Sequence, residues 1–105
     1  PDWEPIDQCS RAYSSIYSLC LGSLYLHGVL PDGKVGHEAL AIQLGSELLR
    51  LTPLQRDKAL NAGNYLQLMV GDFPEDVESC VAQDTLWLGE HTVGQARKVY
   101  PDWFD

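Results

Sequence analysis

The chain has 105 residues, with 15 acidic and 7 basic side chains and a formal net charge of −8. That length fits one domain around one core, here 1–105, and an apolar share of 45% excludes wholesale disorder. The cations Arg11, Lys34, Arg50, Arg56, Lys58, Arg97 and Lys98 form no basic stripe. Nucleic-acid affinity comes mainly from cations meeting phosphates, so direct binding of DNA or RNA is not expected.

Residues 1–6 read as an irregular lead-in, with Trp3 and Ile6 placed to pin it to the body. A first helix is predicted from about Asp7 to His27. Ala12, Tyr13, Ile16, Tyr17, Cys20, Leu21 and Leu24 recur at helical steps, and Leu19, Tyr25 and Leu26 widen the apolar surface beyond one face. A helix apolar on most sides is central in its bundle or shared with a partner. Gly28 suits a left-handed cap, and Pro31-Asp32-Gly33 is a turn signal.

The second helix is predicted over Gly36 to Leu51, with Leu40, Leu44, Leu48 and Leu51 along one side. Thr52-Pro53-Leu54-Gln55 announces the third: Thr52 as N-cap, Pro53 at the first helical position and Gln55 completing a capping box. It should continue to about Val70, weakened and kinked at Gly63-Asn64. Glu75, Asp76 and Glu78 favour the start of a fourth helix. Pro101 should stop that helix, leaving residues 101–105 as a tail whose Trp103 and Phe104 fold back. The expectation is an all-α, antiparallel four-helix up-and-down bundle.

The chemistry-bearing patterns are sparse. There is no G-x-x-x-x-G-K-S/T and no G-x-G-x-x-G. Gly33-Lys34-Val35-Gly36 enters a helix and reads as a simple loop before it reads as an anion seat. His27, His37 and His91 lack a second histidine or cysteine one helical turn away, so no metal site is expected. Cys9, Cys20 and Cys80 are odd in number and have no C-x-x-C spacing, which argues against a disulfide framework or a zinc site. They read as small buried hydrophobes in a reducing compartment, so the chain is placed in the cytoplasm. No signal peptide is expected, and the apolar run from Ile16 to Leu30 is too interrupted to span a membrane.

Three pieces in order resemble the HEPN family of small helical bundles (higher eukaryotes and prokaryotes nucleotide-binding). They are the Ala12-Tyr13 helix closing at His27-Gly28-Val29, the loop Pro31-Asp32-Gly33-Lys34 entering Gly36-His37, and a charged helix ending in Asn61-x-x-x-Tyr65. The resemblance implies an antiparallel bundle that dimerises. For many members it also implies a ribonuclease toxin paired with a nucleotidyltransferase-like antitoxin. In those toxins an R-x4-6-H motif cuts RNA, arginine stabilising phosphate charge and histidine serving proton transfer. The motif is absent here: Leu60 precedes Asn61, and Tyr65 stands where histidine would.

The expectation is therefore a non-catalytic, HEPN-like cytoplasmic homodimer acting by dimerisation or partner binding. It has no cofactor, and Arg56, Asn61, Tyr65 and His37 are candidates for a polar seam or ligand site. A divergent toxin-antitoxin ribonuclease or nucleotide-binding toxin using Arg56, Asn61 and Tyr65 is the alternative. Parallel first and second helices would instead favour a helical scaffold outside that family. Relatives place a helix before the Ala-Tyr helix. The start at Pro1 thus points to trimming, or to a core completed by a partner chain.

Overall fold

The computed structural model describes residues 5–29, 37–67 and 75–104. Among these are helices α1 (Pro5–Leu26), α2 (His37–Leu48), α3 (Pro53–Gln67) and α4 (Glu75–Val99), then a 3-10 turn at Pro101–Phe104, with no strand. The all-α expectation holds. Trp3 and the residues expected to extend the third helix to Val70 lie outside the described residues.

The boundaries follow from local chemistry. Helix α1 begins at Pro5, earlier than the expected lead-in through residue 6 allowed. Proline suits a first helical position, where its missing N–H would have had no partner. The helix ends in a Schellman cap: Gly28 takes φ 76°, Val29 N–H donates to the Leu24 carbonyl at 2.9 Å, and Gly28 N–H donates to Tyr25 at 3.0 Å.

Helix α2 ends the same way, three residues short of the expected Leu51. Here the left-handed residue is Arg50, with φ 59°. Leu51 N–H donates to Ser46 at 2.9 Å and Arg50 N–H to Glu47 at 3.1 Å. A left-handed conformation costs a non-glycine residue about 1–2 kcal/mol. The corner is held from outside by Gln95 of α4, whose Nε2 donates to the Leu49 and Arg50 carbonyls at 3.3 and 3.2 Å. The capping box of α3 forms as its sequence predicts: Thr52 N–H donates to Gln55 Oε1 at 2.9 Å, and Gln55 N–H to Thr52 Oγ1 at 3.1 Å.

The order of contacts fixes helix directions. Cys9 Sγ meets Thr85 Oγ1 at 3.6 Å, Gly89 lies against Ala12, and His27 Nε2 meets the Tyr100 hydroxyl at 2.9 Å. Ascending residues of α1 therefore meet ascending residues of α4, and the two run parallel. The same holds for α2, where Glu38 pairs with Tyr13 and Gly45 with Cys20. Helix α3 runs the opposite way, from the end of α2 back to Gly63 beside Tyr13. The up-and-down alternation expected from the sequence is thus corrected: α1, α2 and α4 share one direction. Helix α2 opens beside Tyr13, roughly 20 Å back along α1 from Leu26 at 1.5 Å per residue.

Helix α1 is the hub, touching all three other helices. Its buried face is Cys9, Ala12, Tyr13, Ile16, Cys20, Ser23 and Leu24. The buried side of α2 is Ala41, Ile42, Gly45 and Ser46, continued by Leu49 just past its end, while Leu40 and Leu44 are 49% and 39% exposed. Small residues at Ala41 and Gly45 let the two backbones close in, and leucines on that face would hold them apart. Helix α3 is unbroken across Gly63-Asn64. Gly63 is there for proximity: a Cβ on it would lie 2.7 Å from the Tyr13 hydroxyl oxygen.

Candidate functional site

The residues singled out from sequence are not brought to one place. Arg56 and Asn61 are five positions apart on α3, which turns them roughly 140° from each other about the helix axis. The Arg56 guanidinium pairs with its neighbour Asp57 at 3.3 Å. Asn61 faces the other flank, in a groove between α3 and α4 lined by Leu54, Lys58, Asn61, Ala62, Asp84 and Thr85. Lys58 Nζ crosses this groove to Asp84 Oδ2 at 3.7 Å. Both partners are substantially exposed, so the pair is worth at most about 1 kcal/mol. Tyr65 is one helical turn beyond Asn61, and His37 opens α2; the side chains of both lie outside the described residues.

Beside the start of α2 is a polar pair that spacing alone did not suggest. The Tyr13 hydroxyl donates to Glu38 Oε1 at 3.0 Å. Tyr13 stacks on Tyr17 with ring centroids 6.5 Å apart. Burial, then the Glu38 hydrogen bond and its charge, push the Tyr13 phenol well above its ordinary value. A phenol that holds its proton so firmly is a hydrogen-bond donor, not a general base. Deeper at the same seam, burial pushes the Cys20 thiol up to about 11, the opposing pull of Ser46 being smaller. Ser46 is buried beside it. A thiol raised in this way is not an activated nucleophile.

The sign of these shifts gives a pH prediction. Tyr13 and Cys20 bind their protons more tightly folded than unfolded. Their contribution is complete below the unfolded values, about 8.5 for cysteine and 10 for tyrosine, and is lost as pH rises through the higher folded values. Thermal denaturation followed by circular dichroism should show a falling midpoint above about pH 9. Tyr13→Phe should fall less steeply than the unaltered chain above about pH 10, because it removes one of the linked protons.

The remaining histidines are spoken for by aromatic rings. His27 meets Tyr100, and His91 stacks on Trp87 with centroids 5.0 Å apart and planes 6° from parallel. Among the described residues, no group of three His, Cys, Asp or Glu side chains is placed to hold a metal ion. No helix among the described residues is long and apolar enough to cross a membrane.

No family model, curated protein or solved structure matches this chain. Its own surface therefore carries the functional reading.

Among the described residues, exposed apolar side chains form rows on the α1/α2 side. Leu40, Leu44 and Leu48 stand one turn apart on the edge of α2 that faces away from its buried Ser46 flank. Tyr17, Leu21 and Tyr25 stand one turn apart on α1, on the side away from Ala12 and Leu19, which face α4. The two rows share one face of the molecule, and all six side chains are exposed or partly so. Between them, α1 and α2 carry few of the 22 charged residues: Asp7, Arg11, Glu38 and Glu47. Sequence periodicity marked the leucine row without saying which way it faces.

Proposed function

We propose that this chain is a non-catalytic helical scaffold that acts by binding a protein through its α1/α2 face, with a second copy as first occupant. The observation that carries this is the outward leucine row of α2. Contiguous apolar patches of several hundred Å² on soluble domains mark interaction sites, and two copies of a chain at −8 meet with least repulsion on their least charged surface. The parallel setting of α1 and α2 supports a scaffold outside the HEPN family over the bundle that the sequence motifs suggested. A HEPN-type toxin-like chain with a nucleotidyltransferase-like antitoxin on the same face is the other form of the proposal, and rests on those motifs alone.

Light scattering across a concentration series tests it. The unaltered chain should move from monomer to dimer mass, and the Leu40→Glu, Leu44→Glu double variant should stay monomeric with an unchanged helical spectrum. Losing two buried leucines at about 1.5 kcal/mol or more each weakens association by at least about 100-fold. A strictly monomeric unaltered chain would remove the second copy as occupant. Dimers that tolerate both glutamates would move the interface elsewhere.

A further inference from the structure

Asn61, singled out in the sequence for a ligand site, lies in a hollow of about 310 Å³ between α3 and α4. That is the small end of the range for ligand pockets, about 300–1,000 Å³, and it fits a small molecule. Leu54, Lys58 and Asn61 recur at helical steps on one face of α3, and Asp84 and Thr85 of α4 stand across from them. Ala62 and Thr85 are buried and form the floor. Leu54, 67% exposed, is an apolar wall open to solvent.

The charges decide what this hollow selects. Lys58 Nζ and Asp84 Oδ2 face each other at 3.7 Å, and both side chains are substantially exposed. Such a pair is held loosely, because water competes for both ends. A ligand with one charge is attracted by one end of the pair and repelled by the other, and the two effects oppose each other. The net charge of −8 further disfavours a simple anion. A molecule with a carboxylate beside an ammonium meets both ends favourably: its carboxylate faces Lys58 and its ammonium faces Asp84. The Asn61 amide, a donor and an acceptor at once, can bond to either group. Leu54 favours an apolar side chain on that molecule.

We propose that the α3/α4 groove binds a free α-amino acid with an apolar side chain. The site shares no residue with the leucine and tyrosine rows of the α1/α2 face, so each proposal can fail without the other.

Amide chemical shifts, followed by heteronuclear NMR, test it with L-leucine as the probe and L-alanine, N-acetylleucine and leucinamide as comparisons. Leucine should move the amides of residues 58–62, 84 and 85 saturably, at about millimolar concentration because the groove is open to water. N-acetylleucine keeps the carboxylate alone and leucinamide the ammonium alone. Each should bind at least about tenfold more weakly, the low end for losing a hydrogen bond to a charged group. Lys58→Gln and Asp84→Asn should each weaken leucine by the same factor, with circular dichroism confirming that the fold is kept. Alanine should bind more weakly than leucine. No saturable shift with leucine, or leucine binding unchanged in either variant, overturns the site. A singly charged analogue that binds as tightly as leucine overturns the zwitterion, and alanine that equals leucine overturns the apolar side chain.

Discussion

Gly45→Ala should destabilise the fold by about 3 kcal/mol or more, the upper end of the overpacking range. The added Cβ would meet the Cys20 Cβ and lie 2.6 Å from the Cys20 Cα and 2.7 Å from its carbonyl oxygen. Two of those atoms are backbone in the middle of α1, so no rotamer change relieves the clash, and α2 must move away as a body. Separation would stretch the Tyr13–Glu38 hydrogen bond one helical stretch away. It would also lift Ile42 and Leu49 from the core. Urea unfolding followed by circular dichroism measures the loss. A change below about 1 kcal/mol would mean that the helices do not cross so closely. The glycine-to-alanine gain in helix propensity, about 1 kcal/mol, is too small to offset the clash.

Leu88→Ala should cost about 2–5 kcal/mol in the same measurement. The buried positions of α4 among the described residues are Thr85, Leu88, Gly89, Thr92 and Ala96. Leu88 is the one large apolar side chain among them and is fully buried. Its neighbours cannot swell to fill the space, because Thr92 Oγ1 is tied to the Leu88 carbonyl at 2.7 Å and Thr85 is tied to Cys9. A rigid surrounding leaves a cavity, and cavity volume sets the upper part of that range. Against a total stability of about 5–15 kcal/mol for a typical domain, that loss is a large share.

Local grammar was legible in the sequence where a residue does its work on its own neighbours. Thr52-Pro53-Leu54-Gln55 set the start of α3, Gly28 the end of α1 and Pro101 the end of α4, because capping and proline effects act within one turn. Two matters were less legible. The first is which side of α2 is buried. Periodicity reports that leucines line up, but Gly45 and Ala41 win the core through close backbone approach, which no hydrophobicity pattern records. The second is direction. Ten residues separate Leu26 from His37, more than the two to five that join an antiparallel helix pair. That length was the available sign that α2 would not turn back along α1.

The candidate site was less legible than the fold for a related reason. Arg56, Asn61 and Tyr65 were singled out by where a family motif would stand, and motif position does not say which face each residue takes. A five-residue step is not a shared face on an α-helix, and Arg56 finds its partner in Asp57 instead. Tyr13 and Glu38 come together across 25 positions, through a helix pairing that only the tertiary fold defines.

The parallel pairing of α1 with α4 also bears on how the chain is made. Its contacts join residues 76 and 73 positions apart, Cys9 with Thr85 and His27 with Tyr100. A bundle closed by such distant partners has a higher contact order than one built from successive hairpins, and it folds more slowly for its size. On the ribosome, the hub helix α1 waits for its main neighbour until α4 has emerged. During that interval Cys9 and Ala12, which Thr85 and Gly89 cover in the folded chain, stay bare and open to aggregation.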